Sequence, residues 1–80
     1  LKIDGSFVQG VMTHRDDAAI VQAIIGLAHS LNLRVIAEGI ETPEQLDFVT
    51  RRGCDEAQGY LIARPLTVPA FEAFWRDTSD

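Results

Sequence analysis

Lys2, Glu38, Glu41 and Gln58 are the residues of this 80-residue chain whose types and settings could do chemistry. Glu38 closes the run Val35-Ile36-Ala37 and is followed by Gly39, Ile40, Glu41 and a helix start at Thr42-Pro43. An apolar, β-branched run that ends on an acid and a glycine marks the C-terminal rim of a parallel strand. Ligands and catalytic groups gather there in α/β proteins. A glutamate set so deep needs a cation, a metal or good donors as its partner, so a functional role and a structural salt bridge are both open to it. Gly39 would let a ligand approach the backbone. Lys2 alternates with Leu1 and Ile3 and faces the other side of its strand. It is either an ordinary edge-strand lysine or, inside a barrel, a paired or catalytic one. Glu41 suits the positive end of the following helix. Gln58, before Gly59, either reaches a ligand's polar edge or pins a neighbouring loop. His14 and His29 lack metal-ligand spacing, and Tyr60, Phe74 and Trp75 read as core. There is no Gly-rich phosphate loop, no Ser/His/Asp set and no paired-histidine motif.

Three β-then-α units position these residues. The first has a strand over Leu1–Asp4, a loop through Gly5 and Gly10, and a helix from about Asp17 to Leu31, capped by Asp16 or Asp17. Ile20, Val21, Ile24, Ile25, Ala28 and Leu31 form its apolar face. The second has a strand over Leu33–Ala37 and a helix over Pro43–Arg52. Thr42, Pro43 and Gln45 make a capping box with proline at the first helical position, and Gly53 follows Arg51 and Arg52 as a helix stop. The third has a strand around Ala57–Ile62 and a helix from Val68 to about Arg76, with Thr67 as cap and Phe71, Phe74 and Trp75 as its buried stripe. Strands alternating with helices predict right-handed crossovers and a parallel sheet. The expected fold class is α/β: three units of a (β/α)8 barrel, incomplete in this chain, since a whole barrel needs roughly 250 residues. No linker or low-complexity stretch interrupts the chain, so residues 1–80 are read as part of one domain.

Composition narrows the function classes. A formal net charge of −5 lacks the basic footprint of a nucleic acid polymer binder, yet leaves room for an anionic ligand held through metal ions. The single cysteine, Cys54, excludes a disulfide framework and fits a reducing, cytoplasmic setting. Charged residues interrupt every apolar run well short of the ~18 residues of a membrane span, so no direct membrane contact is expected of this segment. An opening on Leu-Lys-Ile-Asp reads as the middle of something larger, whose parent could still carry a membrane tether.

Taken in order, Leu1-Lys2-Ile3-Asp4-Gly5-Ser6-Phe7-Val8, Ile24-Ile25-Gly26-Leu27-Ala28-His29-Ser30-Leu31, Val35-Ile36-Ala37-Glu38-Gly39-Ile40-Glu41-Thr42-Pro43-Glu44-Gln45-Leu46, Gly53-Cys54-Asp55, Gln58-Gly59-Tyr60-Leu61 and Pro65-Leu66 resemble the C-terminal third of an EAL domain. The resemblance runs without gaps to about Trp75. It implies a (β/α)8-type barrel and a bacterial phosphodiesterase that hydrolyses cyclic di-GMP to pGpG with Mg²⁺ or Mn²⁺. By the same resemblance Lys2 and Glu38 are catalytic, the lysine on the attacking water or phosphate and the glutamate also a metal ligand. Gln58 lies near the nucleotide, and Glu41 stabilises a neighbouring active-site loop. Gly5 stands where a basic residue is usual, Asn32 where glycine is usual, and Ile62-Ala63 where an aromatic-small pair is common.

The family's other metal ligands match nothing in this chain, and a lysine with one glutamate cannot complete a two-metal site, because each ion wants about six oxygens. The chain alone is therefore expected to be inactive. The alternative is a degenerate EAL domain that binds cyclic di-GMP or a protein partner without cleavage. Unpaired strand edges and an apolar inner sheet face also predict a homo-oligomer.

Overall fold

The computed structural model describes residues 1–59 and 62–79. Its elements run β1 (Lys2–Ile3), α1 (Gly5–Gly10), α2 (Arg15–Ser30), β2 (Ile36–Ile40), α3 (Pro43–Arg51), β3 (Glu56–Gly59), β4 (Ile62–Thr67) and α4 (Val68–Ser79). One four-stranded sheet has the order β1-β2-β3-β4. β1, β2 and β3 are parallel, and β4 returns antiparallel to β3. The sheet is thus mixed rather than wholly parallel. Pro65, which has no N–H to donate, lies in β4 at the edge of the sheet, where the missing donor costs least.

Register decides which side chains face which way. Lys2 pairs with Ile36 and Ile36 with Glu56, while Ile3 pairs with Ala37 and Ala37 with Ala57. Side chains alternate along each strand, so Ile3, Ala37 and Ala57 share one face. All three are 0–1% exposed. They join Val8, Val21, Ile25, Ala28, Val49 and Phe71 in the core under the helices. The opposite face carries Lys2, Ile36, Glu38, Glu56 and Gln58, exposed or half-buried. That open face is largely polar, unlike the apolar inner face expected from the strand pattern.

Local chemistry explains most boundaries. Thr42 Oγ1 accepts the Gln45 amide at 3.1 Å, and Gln45 Oε1 accepts the Thr42 amide at 3.1 Å, so the capping box forms. Gly53 has φ +94, the left-handed residue that ends α3. Asn32 takes φ 59 after α2, a conformation asparagine tolerates better than most side chains. Thr67 Oγ1 accepts from the Ala70 amide at 3.3 Å at the start of α4, as its capping role requires.

Four further expectations need correction. Residues Gly5–Gly10 form a helix, not a loop, because Asp4 caps it and Val8 is buried. α2 starts at Arg15, with His14 at the cap position and no side-chain cap bond. Asp16 and Asp17 lie in its first turn, where they favour the helix dipole rather than cap it. Its buried stripe is narrower than expected, Val21, Ile25 and Ala28, while Ile20 and Leu31 are 39% and 60% exposed. β2 begins at Ile36 and runs on to Ile40, past the expected end at Ala37. Tyr60, read as core, lies outside the described residues, as do positions 60–61 of the expected third strand.

Candidate functional site at the open sheet face

β1 and β2 bring Lys2 and Glu38 together. Lys2 pairs with Ile36 across the ladder, and Glu38, two residues on, shares its face. Lys2 Nζ lies 3.9 Å from Glu38 Oε2, with side chains 61% and 31% exposed. An ion pair this open contributes little to stability. Its value is positional, since it sets a cation and a carboxylate side by side on a face that leaves both accessible to solvent.

Gln58 belongs to the same face one strand further along, two residues after Glu56. Among the described residues its side chain has no hydrogen-bond partner. Glu56 is occupied by Arg34, whose Nη2 donates to Glu56 Oε2 at 3.0 Å nearer the N-terminal ends of the strands. Glu41 is not brought to Lys2. It lies just past the end of β2, exposed, and its backbone amide donates to Gln45 Oε1 at 2.6 Å in the cap of α3. Lys2, Glu38 and Gln58 therefore share one surface, and Glu41 stands at its margin.

The supporting backbone is unusual at one point. Ala37 pairs with Ala57 and Ile40 with Gly59, so three steps along β2 match two along β3. The extra residue is a β-bulge at Glu38-Gly39, and Gly39 has φ +74. α1 packs against it through Gly5. α1 is itself anchored where Asp4 Oδ1 accepts the Ser6 amide and the Ser6 hydroxyl, each at 2.8 Å. Those bonds, the backbone one first, hold the Asp4 carboxyl below its ordinary value.

At the other end of the strands Asp55 Oδ2 accepts the Val35 amide at 2.8 Å and lies 3.3 Å from His29 Nε2. The Val35 amide first, then His29 and Arg34, hold the Asp55 carboxyl below its ordinary value. His29 thus has a structural partner in Asp55. The signal for that partner was the acid two residues after the helix-ending Gly53. Burial pushes the Cys54 thiol up, which makes it a poor nucleophile.

Glu38 offers hard oxygen donors of the kind Mg²⁺ and Mn²⁺ prefer, so it fits a place in a divalent-metal site. Among the described residues no group of three or more His, Cys, Asp or Glu could hold a metal ion. Glu38 is one ligand, not a set. A cleft of about 260 Å³ between α3 and α4, lined by Pro43, Leu46, Thr50 and Trp75 among others, lies away from this surface. No helix among the described residues is long and apolar enough to cross a membrane.

Comparison with known proteins gives this surface a family. Cyclic di-GMP phosphodiesterase NbdA of Pseudomonas aeruginosa is 47% identical over 76 residues, covering 95% of this chain and 10% of the relative. Cyclic di-GMP phosphodiesterase PdeR of Escherichia coli is 38% identical over 76 residues, 95% of this chain and 12% of the relative. A solved complex of PaMucR phosphodiesterase with c-di-GMP superposes with a TM-score of 0.74 at 46% identity, over 89% of this chain and 29% of that one. The chain thus spans about a tenth of the length of these curated relatives. The family model described as "EAL domain" matches residues 1–65, and the chain belongs to the EAL domain family.

Proposed function

We propose that this chain supplies the C-terminal β/α units of a (β/α)8 barrel, as part of one domain that hydrolyses cyclic di-GMP to pGpG. The observation that carries the reading is the Lys2–Glu38 approach on the open sheet face, with Gln58 on the same face. In a phosphodiesterase, charge builds on the non-bridging oxygens as a hydroxide attacks. A lysine beside the phosphate offsets that charge. Glu38, held near Lys2 in the middle of β2, is placed to orient a cation. Among the described residues nothing pairs with the amide donors or carbonyl of Gln58, which suit a base or ribose edge. Glu41, tied by its backbone to the α3 cap, is placed to steady a neighbouring loop rather than to touch substrate. Mg²⁺ or Mn²⁺, when bound, would supply Lewis acidity and a water of lowered pKa.

On this reading the 80 residues alone bind weakly and do not turn over, because one carboxylate cannot hold two metal ions. The protein works in the cytoplasm, and the exposed apolar side chains Leu27, Leu31 and Leu33 favour self-association of the isolated chain. Calorimetric titration of cyclic di-GMP into the chain with Mn²⁺, followed by chromatography for pGpG, tests this. Little heat and no pGpG are expected, and turnover would overturn the incomplete-site reading. Tight binding without cleavage would favour a binding module instead.

A further inference from the structure

We infer that Gly39 is a positioning residue: its left-handed bulge, seated on Gly5, is what turns the Glu38 carboxylate toward Lys2. The inference rests on the proposed role of Glu38 for its functional meaning, but its geometry stands independently. In a regular strand Glu38 and Ile40 would face the same way, because side chains alternate. Here they do not. Ile40 is 0% exposed and pairs with Gly59 on the helix side, while Glu38 faces the open side beside Lys2. Only the extra residue between Ala37 and Ile40 lets one strand bury an isoleucine and present a glutamate two positions earlier. Without it, either Ile40 would leave the core or Glu38 would enter it.

Two features make Gly39 specific to that task. Its φ of +74 lies where L side chains are disfavoured. A Cβ added there would sit 2.8 Å from Gly5 Cα, a backbone atom that cannot swing aside, and 3.4 Å from Gln9 Nε2. The demand is one-sided, since a Cβ on Gly5 would stand at ordinary contact distance, 3.4 Å from Gly39 Cα and 3.6 Å from the Glu38 carbonyl oxygen. α1 therefore acts as a backstop for the bulge, and Asp4, by capping α1, fixes where that backstop stands. Gly26 offers the contrast: nothing lies within 4 Å of a Cβ built there.

Zero-length carbodiimide coupling tests the inference on the full 80-residue chain. The wild type should form a Lys2–Glu38 amide, read as a cross-linked peptide by mass spectrometry. Gly39→Ala should cut its yield at least fivefold while a cooperative thermal melt persists, and Gly26→Ala should leave it unchanged. Where Gly39→Ala does not melt cooperatively, Asp4→Ala replaces it, releasing the cap of α1 and with it the backstop, without touching φ at position 39. Wild-type yield in a folded Gly39→Ala or Asp4→Ala chain would overturn the inference. Broadening of the Glu38 carboxyl carbon by Mn²⁺ is measured beside it. Its absence in the wild type would count against Glu38 as a metal ligand, while the cross-link would still decide the role of Gly39.

Discussion

Replacing Asp55 with alanine removes the acceptor that ties β2, β3 and α2 together at the N-terminal ends of the strands. The carboxylate receives the Val35 amide at 2.8 Å and sits 3.3 Å from His29 Nε2. Val35 is 0% exposed, so its amide cannot simply turn to water. A hydrogen bond to a charged group contributes about 1.5–3 kcal/mol. The Asp55 side chain is 30% exposed, which argues for the lower half of that range, roughly 1.5–2 kcal/mol. For a domain of this size that corresponds to a fall in Tm of roughly 6–16 °C. The loss should depend on pH in one direction. Asp55 is held below its ordinary value of 3.8, chiefly by the Val35 amide. Its stabilisation is therefore complete above that value and disappears as pH falls through the lower, folded-state value. Urea unfolding of wild type and Asp55→Ala at pH 7, and at successively lower pH below 4, measures this. The gap between the two should be widest at pH 7 and should shrink in acid. A gap under about 0.5 kcal/mol at pH 7, below the range for any net charged hydrogen bond, would refute the reasoning. So would a gap that stays constant into strong acid.

Thr42→Ala breaks one half of the capping box and should destabilise the chain by about 1 kcal/mol, read as a lower urea midpoint with unchanged slope. Gly26→Ala adds a methyl into open space within α2 and should stabilise by about 0.5–1 kcal/mol, visible as a rise in Tm. Phe71→Ala empties a fully buried site stacked on Trp75 at 5.8 Å and should cost about 3–5 kcal/mol, enough to leave much of the chain unfolded by circular dichroism.

What the sequence revealed and what it hid follow from how local each cause is. Thr42, Pro43 and Gln45 act within one turn, so the start of α3 was legible, as was its stop at Gly53. Gly5 and Gly10 look like helix breakers, and α1 forms between them because tertiary packing of Val8 and the Asp4 cap outweigh propensity. The bulge at Gly39 depends on β3 and α1, tens of residues away in sequence, and no periodicity announces it. The antiparallel return of β4 was hidden for a similar reason, since a short strand ending in a helix start looks the same in either direction. Of the site, Lys2, Glu38 and Gln58 were singled out by their places at strand ends and by the family resemblance, while their sharing one face came from the register. His29 was weighed only as a metal ligand, and its partner Asp55 became visible once the fold brought α2 against β3.

The central claim is that Lys2, Glu38 and Gln58 make up part of a cyclic di-GMP hydrolysing site. The most direct measurement replaces the matching segment of Pseudomonas aeruginosa NbdA with residues 1–80 and follows cyclic di-GMP hydrolysis with Mn²⁺ by chromatography. The chimera is expected to produce pGpG, and Glu38→Gln within it is expected to lower the rate at least 100-fold, about 2.7 kcal/mol of transition-state stabilisation. A folded chimera that yields no pGpG, or a Glu38→Gln chimera as fast as its parent, would contradict the account.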